Sequence, residues 1–427
     1  MIFPKILRTF TIFLIVLFFF ILLQCSFRPS GLDEKGEVVI RSASWVIDIE
    51  SKNIVEKIAD RFKTLHPEIH IEHTYYPPLQ YDTTLMTAFA AGNAPDVFWV
   101  SSQVARPYIS RNTLYDLTPF IEEDNFDIDD YYPSAIEPFH LNGRYYALSN
   151  DACSSVLFYN KDLFDAEKIP YPNKDWEWKD FVKAAKKLTK DVNGDGKIDQ
   201  WGFVLPGDTL LWFPFIYSNG GYVFDFNNPD KPLFTQPQTL EALDNLLNLA
   251  LKDRVAPLRG ELGDQEVKRG FQLGRVAMMV SGWWDMLDTT LNAPKMNYGV
   301  APIPKYKIPA SQTYSTATAI YINTPHPREA WEFVKFITSA EVQLEKVKAG
   351  WAGPSRRSVS KLDYFKDKEK EKVFLETIEY AYNSYGDHFN ILCYEMTVAR
   401  DRVLQELQTT KEAFAEAEKN FLKRIKE

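Results

Sequence analysis

The alternation of residue patterns between residues 37 and 101 limits this chain to few folds. Glu37-Val38-Val39-Ile40-Arg41-Ser42-Ala43-Ser44-Trp45 reads as a strand with Trp45 at its end. Ile54, Val55, Ile58 and Phe62 then recur at helical spacing, and His66-Pro67 stops the helix. Ile69 to His73 is a second strand and Tyr81 to Ala91 a second helix. Gly92, Asn93 and Pro95 break that helix, and Val97-Phe98-Trp99-Val100 follows as a short buried strand. Strand, helix, strand, helix, strand with short connections is a parallel α/β layer. Ligands of open α/β sheets bind outside the carboxyl ends of the strands, so Trp99, Ser101, Ser102 and Gln103 stand where a cleft would have its rim. The competing reading is an ordinary loop after a buried strand.

A chain of 427 residues suits two or more domains. Its formal charge of −9 argues against a nucleic-acid partner, which would need a basic patch. Aromatic residues reach 15%, which serves either large core residues or flat rings lining a site for a ligand with apolar faces. At the N-terminus, Lys5 and Arg8 precede the apolar run Phe10 to Leu23, broken only by Thr11. That run is too short for a comfortable membrane span, so residues 1–24 read as an export signal. Leu22-Leu23-Gln24-Cys25 resembles a bacterial lipobox, which implies acylation of Cys25 and an extracytoplasmic protein anchored to the cell membrane. Gln24 stands where the lipobox has a small residue, so an uncleaved anchor or cleavage elsewhere is the alternative. Loss of Lys5 and Arg8 from 49 basic residues, against 58 acidic ones, takes the charge from −9 to −11. Residues 25–36, with Pro29, Gly31 and Gly36, read as a tether. Cys153 and Cys393 can form one disulfide or none.

Further motifs follow in a fixed order. After Gly92-Asn93-Ala94-Pro95-Asp96-Val97 come Tyr159-Asn160-Lys161-Asp162-Leu163-Phe164 and the Trp-opened amphipathic helix from Trp176 to Thr189. Then come Phe271 to Trp284, with a strand ending in a tryptophan turn, Tyr298 to Pro304, the helix Ala330 to Ser339, and Gly350 to Pro354 with Arg356-Arg357. In this order they resemble the extracellular solute-binding proteins of bacterial ABC importers, in the sugar-binding group that includes the maltose-binding protein family. The resemblance covers about the whole mature chain.

It implies a two-lobed α/β periplasmic-binding-protein fold with three hinge crossings, near Asn150 to Ser154, Ala301 to Lys305 and Gly350. The first lobe would take residues 37–150 plus 304–350 and the second 151–303 plus 351–427. It also implies capture of a sugar, an oligosaccharide, in the cleft and handover to permease subunits by a monomer that catalyses nothing and needs no cofactor. Aromatic rings would stack on pyranose faces while polar groups take the hydroxyls, and ligand touching both lobes would shift a two-state closure. The residues carried over by position are Trp45, Trp99, Ser101, Ser102, Gln103, Asp151, Trp212, Trp283, Trp284 and Trp351. Two alternatives stay open. One is a non-sugar ligand such as a peptide or a polyol phosphate, which would want Arg or Lys converging on the cleft. The other is a surface carbohydrate-active enzyme.

Asp191-Val192-Asn193-Gly194-Asp195-Gly196-Lys197-Ile198-Asp199 reproduces an EF-hand-type loop, with Asp191, Asn193, Asp195, the Lys197 carbonyl and Asp199 as ligands for a structural Ca²⁺. Its twelfth place is Gly202 instead of Glu, so the alternative is a connector rich in Asx turns leading to a strand at Gln200 to Phe203. His66, His70 and His73 straddle a helix end and an alternating strand and make no metal set. No nucleophile elbow, zinc-protease motif or phosphate loop occurs in the sequence. Glu122-Glu123 and Asp129-Asp130 read as solvated surface. Thr239 to Leu251 is a helix, Phe213 a core residue, and Phe414, Ala417, Phe421, Leu422 and Ile425 share one face of a tail helix.

Overall fold

A computed structural model describes residues 31–32, 36–45, 49–262 and 267–426. Residues 1–24, read above as an export signal, and Cys25 lie outside them. Among the described residues no helix is long and apolar enough to cross a membrane. The chain forms two compact units, one of residues up to Val97 with Asn323–Phe333, the other of Phe98–Ile322 with Val334 onward.

In the first unit β1 (Val38–Trp45) pairs in parallel with β2 (Ile69–Tyr76), from Val38 opposite Ile69 to Trp45 opposite Tyr76. The strand expected to stop at His73 therefore runs three residues further. Helices α1 (Ile49–Leu65) and α2 (Pro78–Ala90) supply the crossovers. Their inner positions, Val55, Ile58 and Phe62 on α1 and Tyr81 and Leu85 on α2, are buried with Ile40 and Ala43 of β1. Asp96 of the Pro-Asp-Val step is the pin of this unit. Its buried carboxylate accepts the Arg41 backbone N–H at 2.9 Å and the Thr324 hydroxyl at 2.9 Å. Arg41 in turn donates to Asn93 Oδ1 at 2.9 Å and the Ala94 carbonyl at 2.7 Å. A breaker loop that could wander is thus tied to β1 and to the segment returning at residue 323.

The second unit is built round a strand that the sequence reading did not anticipate. From β3 (Val97–Ser101) the chain proceeds through β4 (Ala147–Ser154), β5 (Val156–Asn160), α3 (Trp178–Leu188), α4 (Pro237–Leu251), β6 (Met278–Ser281), α5 (Trp284–Asn292) and β7 (Tyr298–Ala301) to β8 (Ser311–Ile320). β8 neighbours β3, runs antiparallel to β4, and pairs in parallel with β9 (Ala381–Tyr382). Most of its small residues are buried because it has neighbours on several sides, and two of its hydroxyls find partners there, while among the described residues those of Thr313, Tyr314 and Ser315 are buried without one. Thr318 bonds Asn150 at 2.7 Å, and Ser311 bonds the Ser155 carbonyl at 2.7 Å. β5 carries β6 on one side and β7 on the other, both antiparallel. After α6 (Ala340–Lys348), the helices α7 (Phe389–Leu404) and α8 (Thr410–Arg424) close the chain.

Two local expectations change, and of the two readings left open for the cysteines the structure takes the one without a disulfide. Gln200 and Trp201 make isolated bridges to Lys190 and Val276 instead of a strand. Leu422 is 38% exposed while Phe414, Ala417 and Phe421 are buried, because Leu422 sits 100° further round α8 than Phe421. Cys153 and Cys393 carry free thiols, and burial pushes the Cys153 thiol up to about 12.

Candidate functional site

The last turn of α6 places the first group of side chains. Val342, Gln343, Lys346 and Val347 fall on its buried face, so one lysine is carried inward with the apolar residues. The helix ends in a Schellman turn: Gly350 N–H donates to the Val347 carbonyl at 2.9 Å and Trp351 N–H to the Lys346 carbonyl at 3.0 Å. That turn needs a positive φ at its C′ residue, and Gly350 supplies +73°. Trp351 is thereby folded back over Lys346. Its ring lies 5.7 Å from that of Trp99 on β3, and the Lys346 ammonium is 5.6 Å from the Trp351 ring centre and 5.8 Å from that of Trp99. Lys346 is 2% exposed, and burial lowers its pKa, opposed by the nearby Asp151 carboxylate. Burial raises the Asp151 pKa, opposed by Lys346 and by hydrogen bonds from Thr316.

A hydrogen-bonded frame holds this corner. Gln343 accepts the Ser355 and Arg356 N–H groups at 2.9 and 3.1 Å and donates to the Ser149 carbonyl at 3.3 Å, which joins α6, β4 and the loop after Trp351. Arg356 donates to the Thr338 carbonyl at 2.9 Å and to Asp130 at 3.1 Å, and Arg357 forks onto Glu379 at 2.8 and 3.0 Å. Both arginines are committed to protein acceptors, which removes the cluster an anionic ligand would have used.

The register of β4 on β8 places the second group. Asp151 lies opposite Thr316 and Cys153 opposite Tyr314, so Asp151, Cys153, Tyr314 and Thr316 share one face of the ladder. Tyr314 meets Trp284 edge to face at 5.0 Å, and Trp284 is 38% exposed at the first turn of α5. Tyr314 and Lys346 were not among the sequence candidates. Period-2 alternation could have marked Tyr314 had β8 been recognised, whereas nothing local marks Lys346.

The other candidates fall elsewhere. Trp283 and Trp212 have packing roles, at 1% and 0% exposure. Trp283 lies against Phe374 at 5.2 Å, and a Cβ at Gly353 would come within 3.0 Å of its ring. Trp212 donates to the Pro206 carbonyl at 2.9 Å inside the core that includes Phe213. Both rings are enclosed because their neighbours are large and apolar, so neither offers a face to a ligand. Ser102 is buried, its N–H donating to the Ser315 carbonyl at 2.9 Å, while Ser101 and Gln103 are half-buried. In the first unit Trp45 is half-buried, edge-on to Tyr81 at 4.9 Å.

In the Asp191–Asp199 loop the side chains serve the backbone. Asp191 accepts Gly194 and Gly196 N–H at 2.6 and 2.7 Å, which holds its pKa down, and Asp195 accepts Lys197 N–H at 2.8 Å. Asn193 reaches Asp199 Oδ1 at 3.3 Å. Among the described residues no three acid, His or Cys side chains are grouped to hold a metal. Two cavities of about 460 and 400 Å³ share Glu137, Phe226, Asn227 and Tyr385 and contain none of the expected ligand residues. The tryptophan cluster is the stronger candidate, since a half-buried ring at Trp351 beside the buried Lys346 suits a polar ligand with apolar faces.

Comparison with known proteins gives this geometry its setting. A Listeria monocytogenes ABC substrate-binding protein, solved in complex with cycloalternan, matches with a TM-score of 0.81 over 91% of this chain and 99% of its own, at 24% identity. The maltose/maltodextrin-binding domain MalE of Bdellovibrio bacteriovorus, bound to maltotriose, matches at 0.76 over 91% and 100%, at 21% identity. These likenesses show the fold, the α/β fold of two-lobed binding proteins. A maltotriose-binding protein of Pyrococcus abyssi is 24% identical over 294 residues, 67% of this chain and 59% of its own length. The bacterial extracellular solute-binding protein profile matches residues 48–344, well over half of the chain, and the chain belongs to that family.

Proposed function

We propose that this protein captures a sugar, an oligosaccharide, outside the cytoplasm and delivers it to the permease subunits of an ABC importer. The observation that carries the reading is a half-buried Trp351 over the buried Lys346, with the partly exposed Trp284 on Tyr314 of the face that carries the half-buried Asp151, in a chain of this family. Stacked rings take the apolar faces of pyranoses and the polar groups take hydroxyls. The protein acts by binding, as a monomer, and leaves its ligand chemically intact. Acylation of Cys25 would keep it at the membrane, and intact-mass analysis of the exported chain tests this by the presence or absence of a diacylglyceryl group on that residue.

Titration of the chain from Ser26 with malto-, cello-, xylo- and manno-oligosaccharides is expected to give a saturable change in tryptophan fluorescence with unchanged sugar afterwards. Trp284→Ala should weaken that binding by about 10- to 100-fold, the range for losing one well-buried aromatic contact. Cleaved sugar would overturn the reading in favour of an enzyme, and no binding across the panel would move it to a non-sugar ligand. The function needs no cofactor in this reading, and Ca²⁺ on the Asp191–Asp199 loop would only be structural. The same titration in EGTA is expected to give the same affinity. A fall in melting temperature with EGTA would assign the cation to the loop, and a fall in affinity would contradict its being dispensable.

A further inference from the structure

We infer that the two adjoining cavities behind the β4–β8 ladder form a second carbohydrate site, for a neutral sugar of two or three rings, separate from the tryptophan corner. The inference goes beyond the sugar-binding reading above and depends on none of its residues. Alternation along β4 fixes where the cavities lie. Asp151 and Cys153 share a face with Tyr314, so Ala152 between them points the other way, where it is buried with Tyr132, Ala135 and Ile378. Tyr132 and Ile378 line the larger cavity, of about 460 Å³, and the smaller one, of about 400 Å³, shares Glu137, Phe226, Asn227 and Tyr385 with it. They are two chambers of one groove, each within the roughly 300–1,000 Å³ of small-molecule sites.

An aromatic wall is the first half of the argument. Phe226 stands at the tip of the hairpin formed by Phe224–Asp225 and Asn228–Pro232, where turns ordinarily carry polar residues. Its half-buried ring is fixed there by Tyr382, stacked at 5.9 Å and 19°, and by Tyr222, edge-on at 5.7 Å. Rings held in this way offer a platform to the carbon face of a sugar with little further ordering. Charged groups of both signs are the second half. Glu137 belongs to both chambers, accepts the Tyr385 hydroxyl at 3.0 Å and has no ion-pair partner among the described residues. Arg106, in the smaller chamber, lies 4.7 Å from the same Tyr385 ring, and its buried Nε has no acceptor among them. In the larger chamber Arg357 closes onto Glu379 at 2.8 and 3.0 Å and lies 4.8 Å from the Tyr132 ring. Asp230 and Asp387 line the smaller chamber, hydrogen-bonded to His388 at 2.9 Å and Ser110 at 2.7 Å. An anion in this groove is opposed by the four carboxylates, and a cation by the two guanidiniums that already lie on two of its rings. Hydroxyls both donate and accept, so they find acceptors in Glu137 and donors in Arg106 and Asn227.

The test is calorimetric titration of the full exported chain with maltotriose, cellotriose, xylotriose and mannotriose. The wild type is expected to bind two molecules of at least one of them. Phe226→Ala and Glu137→Gln should each weaken one of the two sites by about 10- to 100-fold, the range for losing an aromatic contact or a charged hydrogen bond, and leave the other unchanged. Trp284→Ala should do the reverse. Glu137 is exposed, so Glu137→Gln decides by itself should Phe226→Ala not fold. A single site that Trp284→Ala weakens and both groove variants leave intact would overturn the inference while keeping the sugar-binding reading, and two sites indifferent to both groove variants would do the same. A single site weakened by the groove variants and untouched by Trp284→Ala would support the groove and overturn the tryptophan corner. Absence of binding to every trisaccharide would overturn both. Choline chloride is the control titrant: choline binding that Phe226→Ala abolishes, with no sugar bound there, would overturn the assignment to a neutral sugar.

Discussion

Replacing Trp283 by alanine is expected to lower the unfolding free energy by about 3–5 kcal/mol, the cost of emptying a large aromatic site in a packed core. Trp283 is 1% exposed, rests on Phe374 and lies where Gly353 has no Cβ to intrude. Its indole N–H has no acceptor, so the change forfeits no hydrogen bond and the loss comes from apolar transfer and the cavity left behind. The residue next to it should behave in the opposite way. Trp284 begins α5 with 38% of its surface exposed, and its truncation should cost under about 1 kcal/mol of stability while weakening ligand binding. Urea unfolding of the two variants side by side checks this. A Trp283→Ala variant within about 1 kcal/mol of wild type would mean that the site collapses around the missing ring or is not enclosed.

Lowering the pH from 7 to 4.5 is expected to remove about 2 kcal/mol of stability through His73 alone. The ring accepts or donates one hydrogen bond, with the Ser44 hydroxyl at 2.8 Å, while its Nδ1 is buried without a partner. Burial pulls its pKa down from 6.5 to about 4. A base with a depressed folded pKa is neutral in both states above pH 7 and contributes no slope there. Between pH 6.5 and 4 the unfolded chain binds a proton that the native state refuses, so stability falls as pH falls through that window. Full linkage for that shift would give about 2.5 kcal/mol at pH 4.5, and partial exposure of the side chain reduces it to about 2. His73→Gln should flatten that part of the profile. Parallel profiles for the wild type and the variant would show that His73 titrates normally.

The order of the first five elements is legible because each carries its own period and its own punctuation. Phe62, Ile58 and Val55 announce a helix, and Gly92 with Pro95 ends the next one. β8 was not legible for a physical reason. Ser311 to Ile320 is rich in threonine, serine and alanine, small residues chosen by a crowded position between strands, and such residues give no apolar alternation to read. The site divides in the same way. Trp99, Trp351 and Asp151 were found from the family pattern, and the structure brings them together. Trp212 and Trp283 were carried over by position on the same pattern, and a position in a pattern does not tell a ring that faces a ligand from one that fills a core. Asp96 stands in the family's best-marked step yet is spent on tying a loop to β1. Lys346 could not be found at all, since Glu345-Lys346-Val347-Lys348 reads as an ordinary charged helix end. Its burial exists only once the turn at Gly350 folds Trp351 back over it.

The free thiol of Cys153 makes the β4–β8 ladder open to chemical timing. It stands opposite Tyr314 on the face that carries Asp151, and its pKa of about 12 keeps the reactive thiolate scarce while the ladder is closed. A thiol reagent therefore registers the moments at which β4 and β8 part, so the rate of modification is a clock on the breathing of these two strands. Because Cys153 and Cys393 are unpaired, the fold also owes nothing to an oxidant. The polypeptide can be refolded from denaturant in the presence of reductant, without an oxidative shuffling step between the unfolded chain and the assembled site.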